Sequence, residues 1–192
     1  EMSALDKKIE SKRSKLILTK DHNIQPKSED YASNHKKGNI LELPAVIDGT
    51  IIPIEEVEDQ IFSNKMIGDG YGIRPTGKIV YSPINGKIEQ IASTKHAIYL
   101  STSDNIKLLI HIGLDTIELK GKGFKSNIEK GMDVHRGDIL VEIDPKFIID
   151  EGYNPVIAVV ILNQLDNSDI SIYPNSKAVG NETIALKMKI NN

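Results

Sequence analysis

The stretch Thr94-Lys-His-Ala-Ile-Tyr-Leu-Ser-Thr-Ser-Asp-Asn-Ile-Lys-Leu-Leu-Ile-His-Ile-Gly-Leu-Asp115 carries the reading of the whole chain. Two runs rich in aliphatic and aromatic residues flank the turn signal Ser103-Asp104-Asn105, the pattern of a β-hairpin. A hairpin centred between Ser103 and Asp104 pairs Ser101 with Ile106 and sets His96 directly opposite His111. Directly opposed side chains in an antiparallel pair have Cβ atoms about 4.5–5.5 Å apart. Two imidazoles that close can share one ligand: a phosphoryl group, a metal ion or a substrate. A slip of one residue sends His111 to the other face, so the functional reading depends on register.

Alternation supports the placement. Leu108, Ile110, Ile112 and Leu114 point one way, and Lys107, Leu109, His111 and Gly113 point the other. The first set is wholly apolar and is assigned to the core. His111 then shares the opposite face with Leu109, and Ile98 sits across from Leu109. This predicts a histidine pair in an apolar, partly exposed depression suited to docking a partner protein, with Ile98 and Leu109 as contact residues. Taken alone, two histidines are more simply read as half-buried side chains that satisfy hydrogen bonds. The sequence around them changes that reading.

Outward from the hairpin, short apolar segments alternate with Gly, Pro, Asn and Asp. Ala45–Ile54 reads as strand, turn at Asp48-Gly49 and strand. Tyr81–Ile91 does the same around Asn85-Gly86. Asn-Gly and Asp-Gly supply the positive φ of tight hairpins. The two segments look like an imperfect internal repeat, a hint of pseudo-symmetric β architecture. Further strands are expected at Ile117–Leu119, Ile139–Ile143, Val156–Ile161, Ser176–Val179 and Ile184–Ile190. Helix is confined to short turns within Ile54–Phe62 and Pro145–Glu151. Many short strands with regular turns predict an all-β protein, an antiparallel β-sandwich or distorted barrel with a few short helical turns.

The chain has 192 residues, of which 39% are hydrophobic and only 5% aromatic, so its core must be built from Ile, Leu and Val, which suits strands. A net charge of −3 gives no reason to expect nucleic acid. With no cysteine, a thiolate metal site and a cysteine nucleophile are excluded on this chain. The longest apolar run, Val156–Leu162, is too short to span a bilayer. No signal peptide is evident, and a cytoplasmic setting is expected. Residues 1–38 carry nine basic and six acidic side chains, and almost no apolar ones from Lys20 to Lys37. They are read as a polar extension or linker, with 39–192 as the functional domain. Leu5, Ile9 and Leu16 would also permit a tether to a membrane surface. His22, His35 and His135 lie in polar stretches and are read as solvated.

The string His111-Ile-Gly-Leu-Asp-Thr-Ile-Glu-Leu-Lys-Gly-Lys-Gly-Phe124 resembles the phosphorylation-site signature of the glucose-type IIA components (EIIA) of the bacterial phosphoenolpyruvate-dependent sugar phosphotransferase system. Gly68-Asp-Gly70 with Ile73-Arg-Pro75, Ser82-Pro-Ile-Asn-Gly86, Thr94-Lys-His96, Gly131, Val134, Gly137-Asp138, Asp144 and Asn154-Pro-Val156 resemble further motifs of that family, in order. The likeness runs from about Leu43 to Ile190 and leaves the first 40 residues uncovered. It implies a barrel-sandwich hybrid fold and a phosphocarrier. His111 would accept a phosphoryl group from the phosphohistidine of HPr and pass it to a cysteine of a IIB domain. His96 would contact the phosphoryl oxygens. Gly113 resembles the residue whose carbonyl holds the second ring nitrogen of the acceptor histidine, and Asp144 resembles a residue near the site. Partners would be HPr and IIB. The membrane would be reached only through a fused or partner permease, or through the N-terminal segment.

The chemistry agrees. An imidazole nitrogen attacks phosphorus only when unprotonated, and with a reference pKa near ~6.5 histidine is largely neutral at cytoplasmic pH. Transfer proceeds through a loose transition state, where positioning and charge stabilisation do most of the catalysis. No cofactor is needed, since donor and acceptor are both protein side chains. Thr94 can orient His96 through its hydroxyl. Asp115 has two readings, a residue that positions a partner or interfacial water and a turn residue that closes the strand. Asp144 equally suits capping of the turn at Pro145. Two other classes compete. One is a regulatory module docking target proteins through the same face. The other is a zinc hydrolase using His96 and His111, disfavoured because such sites want three protein ligands. An intermolecular zinc site completed by a partner carboxylate would need only these two histidines.

Overall fold

Backbone pairing sorts the strands into three antiparallel sheets. The computed structural model describes residues 40–162 and 169–190. Within them fourteen strands run in the order β1 Ile40–Pro44, β2 Gly49–Pro53, β3 Asp69–Pro75, β4 Ile79–Tyr81, β5 Gly86–Ile91, β6 Ala97–Ser101, β7 Lys107–Leu114, β8 Phe124–Lys125, β9 Asp133–Val134, β10 Ile139–Ile143, β11 Asn154–Ile161, β12 Asp169–Ile172, β13 Asn175–Ala178 and β14 Ile184–Lys189. The large sheet has the order β13-β2-β3-β11-β7-β6-β5-β9, and two small ones read β1-β14-β12 and β4-β10-β8. The sheets are not closed into a barrel. Among the described residues helix is limited to Gln60–Ser63 and Pro145–Asp150, with 3-10 turns at Ile54–Glu56 and Thr116–Leu119. Ile117–Leu119 is therefore a 3-10 turn rather than the expected strand. Residues Asp115 and Lys120 on either side have left-handed backbone, φ 56° and 53°, which no strand tolerates. The polar segment 1–38 and the domain boundary read after it lie outside the described residues, as do His22 and His35. Among the described residues no helix is long and apolar enough to cross a membrane.

The sheets repeat internally. Mapping β1, β2, β3, β11, β12, β13 and β14, in chain order, onto β4, β5, β6, β7, β8, β9 and β10 reverses the large sheet onto itself and carries one small sheet onto the other. Local bonding repeats with it. Ala45 N–H donates to Thr183 C=O and Ser82 N–H to Asp138 C=O, both at 2.8 Å. Asn181 N–H donates to Ala45 C=O at 2.8 Å, and Gly137 N–H to Ser82 C=O at 2.9 Å. The segments Ala45–Ile54 and Tyr81–Ile91 thus hold equivalent places. Neither is a hairpin, because each carries the chain from a small sheet into the large one. Gly49 and Gly86 have no positive φ. They are glycine for a different reason: a Cβ would lie 2.2 Å from Arg74 C=O at Gly49 and 2.1 Å from Ser101 C=O at Gly86. A main-chain oxygen cannot yield as a side chain can.

Two apolar clusters result. The main core between the sheets takes Leu108, Ile110 and Ile112 from β7 and Ile157, Val159 and Ile161 from β11. A second cluster covers the outer face of the large sheet with Leu109, Ala97, Val156, Ala158, Val160, Ile52, Ile54 and Phe62. Central strands are therefore buried on both faces, which explains their near-continuous apolar sequence. In the main core Tyr71 is fully buried and its hydroxyl donates to Pro44 C=O at 3.0 Å. Burial pushes the phenol pKa far above the ordinary tyrosine range.

Two outcomes are expected. Gly49→Ala and Gly86→Ala should each destabilise the domain by about 3 kcal/mol or more in urea denaturation, because a strand must move to admit the methyl. Tyr71→Phe should cost about 1 kcal/mol at neutral pH. The parent's advantage should then shrink as pH rises past about 10, where the unfolded chain releases the Tyr71 proton and the folded chain retains it. Stability curves of the two proteins at pH 7 to 11 check the sign.

Candidate functional site

The hairpin of β6 and β7 differs from the expected register by one residue. Ser101 pairs with Lys107 and Ala97 with His111. The cause is Asn105, whose left-handed backbone (φ 59°) makes Ser103-Asp104-Asn105 a three-residue loop. Thr102 closes it: its N–H donates to Ile106 C=O at 2.9 Å, and its Oγ1 accepts from Ile106 N–H at 3.1 Å. His96 therefore lies across from Ile112, whose N–H donates to His96 C=O at 2.7 Å. Simple alternation would aim His96 into the main core. It escapes because it precedes β6, next to Lys95 with φ 62° in the tight turn that links Ala92 to Ala97. Left-handed residues at both ends of the hairpin thus compensate. The two imidazoles meet edge to face, ring centroids 5.2 Å apart and planes at 83°.

Small neighbours make room for His111. Its direct cross-strand partners are Ala97 on β6 and Ala158 on β11. Phe62 covers it from the helix Gln60–Ser63, ring centroids 5.1 Å apart. That helix is anchored by Asp59, which accepts from Ile61 N–H at 2.9 Å. Lys65 beyond it bonds Glu55 at 2.7 Å and Asp69 at 3.1 Å. The Lys65 ammonium holds the Glu55 carboxyl below its ordinary range, and Glu55 in turn raises Lys65. Both are substantially exposed, so the pair orients the segment more than it stabilises it.

The site is more buried than expected. His96 is 3% exposed and His111 7%, so neither ring lies on an open face. Phe62, which the sequence reading missed, supplies the cover. His111 Nδ1 is itself buried. Thr94 Oγ1 lies 2.6 Å from His96 Nδ1, the predicted orienting contact. Leu109 shares the face of His111 as expected, but at 3% exposure it offers little surface. Ile98 is misplaced by the sequence reading: it pairs with Ile110 and is fully buried in the main core. Tyr99 takes its place opposite Leu109, and Tyr99, Ile67 and Leu162 form the partly buried margin of the outer cluster.

Gly113 breaks the strand's alternation. Its φ is +75°, and the ladder to β11 shifts register between Asn154 and Ile157. Leu114 consequently joins the outer cluster instead of the core face assigned to it. Asp115 is exposed and precedes the 3-10 turn without capping it through its side chain. Asp144 caps the helix Pro145–Asp150, accepting from Phe147 N–H at 3.1 Å. His135 is 59% exposed beside Asp138, as read from its polar surroundings.

Two imidazoles in edge-to-face contact on the outer face of an antiparallel sheet are an arrangement able to hold one small anion between them. Residues 41–167 match the family described as phosphoenolpyruvate-dependent sugar phosphotransferase system, EIIA 1, and the chain belongs to that family. It is similar to the solved structure of glucose permease IIA from Mycoplasma capricolum, with 31% identity and a TM-score of 0.72, over 78% of this chain and 96% of that one. The protein is a phosphoryl carrier of the sugar phosphotransferase system, of glucose type. The zinc hydrolase and purely regulatory readings are not favoured.

Gly113→Ala should destabilise the protein by about 2–3 kcal/mol, since it combines positive φ with a Cβ 2.3 Å from Thr116 Cγ2. Chemical denaturation gives the value.

Proposed function

We propose that His111 is the phosphorylated residue and that His96 stabilises the group in transit. The observation that carries this is the edge-to-face histidine pair with Thr94 on the far nitrogen of His96. A threonine hydroxyl donating to His96 Nδ1 selects the tautomer protonated at Nε2, which then donates to a phosphoryl oxygen. Burial of His111 Nδ1 favours Nε2 as the attacking nitrogen. The bond from phosphorus to the histidine of HPr breaks as the bond to His111 Nε2 forms. The group then passes to a cysteine sulfur of a IIB domain, in keeping with the lack of cysteine on this chain. Burial keeps bulk water from the phosphohistidine between the two transfers.

Docking falls to the margin of the outer cluster, Tyr99, Ile67 and Leu162, with Asp115 exposed beside it. Leu109 contributes shape beneath them. The carrier domain is taken as residues 39–192, with 1–38 as a polar extension, working in the cytoplasm with HPr and IIB and reaching the membrane through a permease. Gly113 serves by bending the backbone after His111, and Asp144 by capping its helix.

Incubation with phosphoenolpyruvate, enzyme I and HPr should add one phosphate by intact mass, labile in acid and stable in base. His111→Ala should abolish it. His96→Gln should still accept the group but slow its transfer to IIB by a factor of about 10² or more, the range of a lost electrostatic donor. Wild-type phosphate on the first variant would dismiss the assignment.

A further inference from the structure

The residue after His111 is bonded to both halves of the site. Ile112 N–H donates to His96 C=O at 2.7 Å, and Ile112 C=O accepts from Thr116 Oγ1 at 2.5 Å. Thr116 is 0% exposed, and it stands where the ladder between β7 and β11 is interrupted. Its methyl occupies the space beside Gly113 that a Cβ there would need. The backbone leaving His111 is thus held just past the last pair of the β6–β7 ladder, Ala97 with His111, and just before the break in the β7–β11 ladder.

We propose that Thr116 is a positioning residue that sets the distance and angle between the two imidazoles, acting through Ile112. The inference rests on the phosphocarrier reading of His111 and His96. The hydroxyl is the operative group. Without it the Ile112 carbonyl loses a buried hydrogen bond, and the left-handed bend at Gly113 is free to relax. His111 then shifts against His96, whose carbonyl Ile112 also holds. The docking margin of Tyr99, Ile67 and Leu162 lies on other segments of the chain and stays in place. Loss of the hydroxyl should therefore slow the chemical step and leave partner binding alone.

Thr116→Val keeps the volume and removes the hydroxyl, whereas Thr116→Ser keeps the hydroxyl and removes the methyl. Single-turnover phosphorylation by phospho-HPr, followed across HPr concentrations, separates maximal rate from apparent affinity. For the valine variant we expect a maximal rate lower by about ten-fold or more and a half-saturating concentration within about two-fold of the parent. Nitrogen-15 NMR of the histidine rings in the unphosphorylated protein should show altered His96 and His111 signals. The serine variant should match the parent in rate and ring signals. A valine variant with parental rate and unchanged signals, or a serine variant as slow as valine, overturns the proposal. If the valine protein does not fold, the serine variant decides alone, parental rate supporting the brace and a loss of about ten-fold opposing it. If the unmodified chain takes no phosphate, the phosphocarrier reading fails, while the ring signals, which need no partner, still decide the role of Thr116.

Discussion

Backbone hydrogen bonding along both edges of β7, to β6 on one side and β11 on the other, is the constraint from which the site follows. A strand held on two edges and covered on two faces resists sliding along its length, and only its end beyond Ile112, where the ladder to β11 breaks, needs a separate brace. Leu108, Ile110 and Ile112 anchor it in the main core, and Leu109 anchors it in the outer cluster. His111 is therefore placed by its neighbours rather than by its own contacts. An imidazole there can be aimed without a flexible loop, and in the role proposed for His111 little reorganisation would be required.

The internal repeat of the sheets makes the site a broken symmetry. The axis passes between β7 and β11, where His111 stands directly opposite Ala158. One half of the repeat carries the imidazole and the other carries a methyl group. That asymmetry has a steric use. A second large side chain at 158 would fill the space into which the His111 ring and Phe62 pack. Gly49 and Gly86 show the symmetry where function does not disturb it, since each admits a main-chain oxygen at the same step of its half.

Burial changes how the site must be pictured. A depression with two open histidines would present them equally to water and to partners. Here Phe62 lies over His111, and the partly exposed apolar residues stand at the margin. Tyr99, Ile67 and Leu162 are more exposed than either histidine. Such an arrangement agrees with the transfer proposed for His111, because a phosphorylated imidazole shielded from bulk water would hydrolyse slowly.

The sequence alone determined the strand-rich composition, the repeat around Asp48-Gly49 and Asn85-Gly86, the nearness of His96 to His111, though not the strand pairing expected to produce it, and the Thr94 contact. These are local patterns of period, turn chemistry and short spacing, and they survive whatever the rest of the chain does. It did not determine the register, the burial of Ile98, the side taken by Leu114, the cover by Phe62 or the brace through Thr116. Those depend on left-handed residues at Lys95, Asn105 and Asp115, on the bend at Gly113 and on segments distant along the chain. Side-chain alternation counts residues and is blind to a backbone that turns left-handed. Only packing on both faces of the central sheet selects where those turns fall.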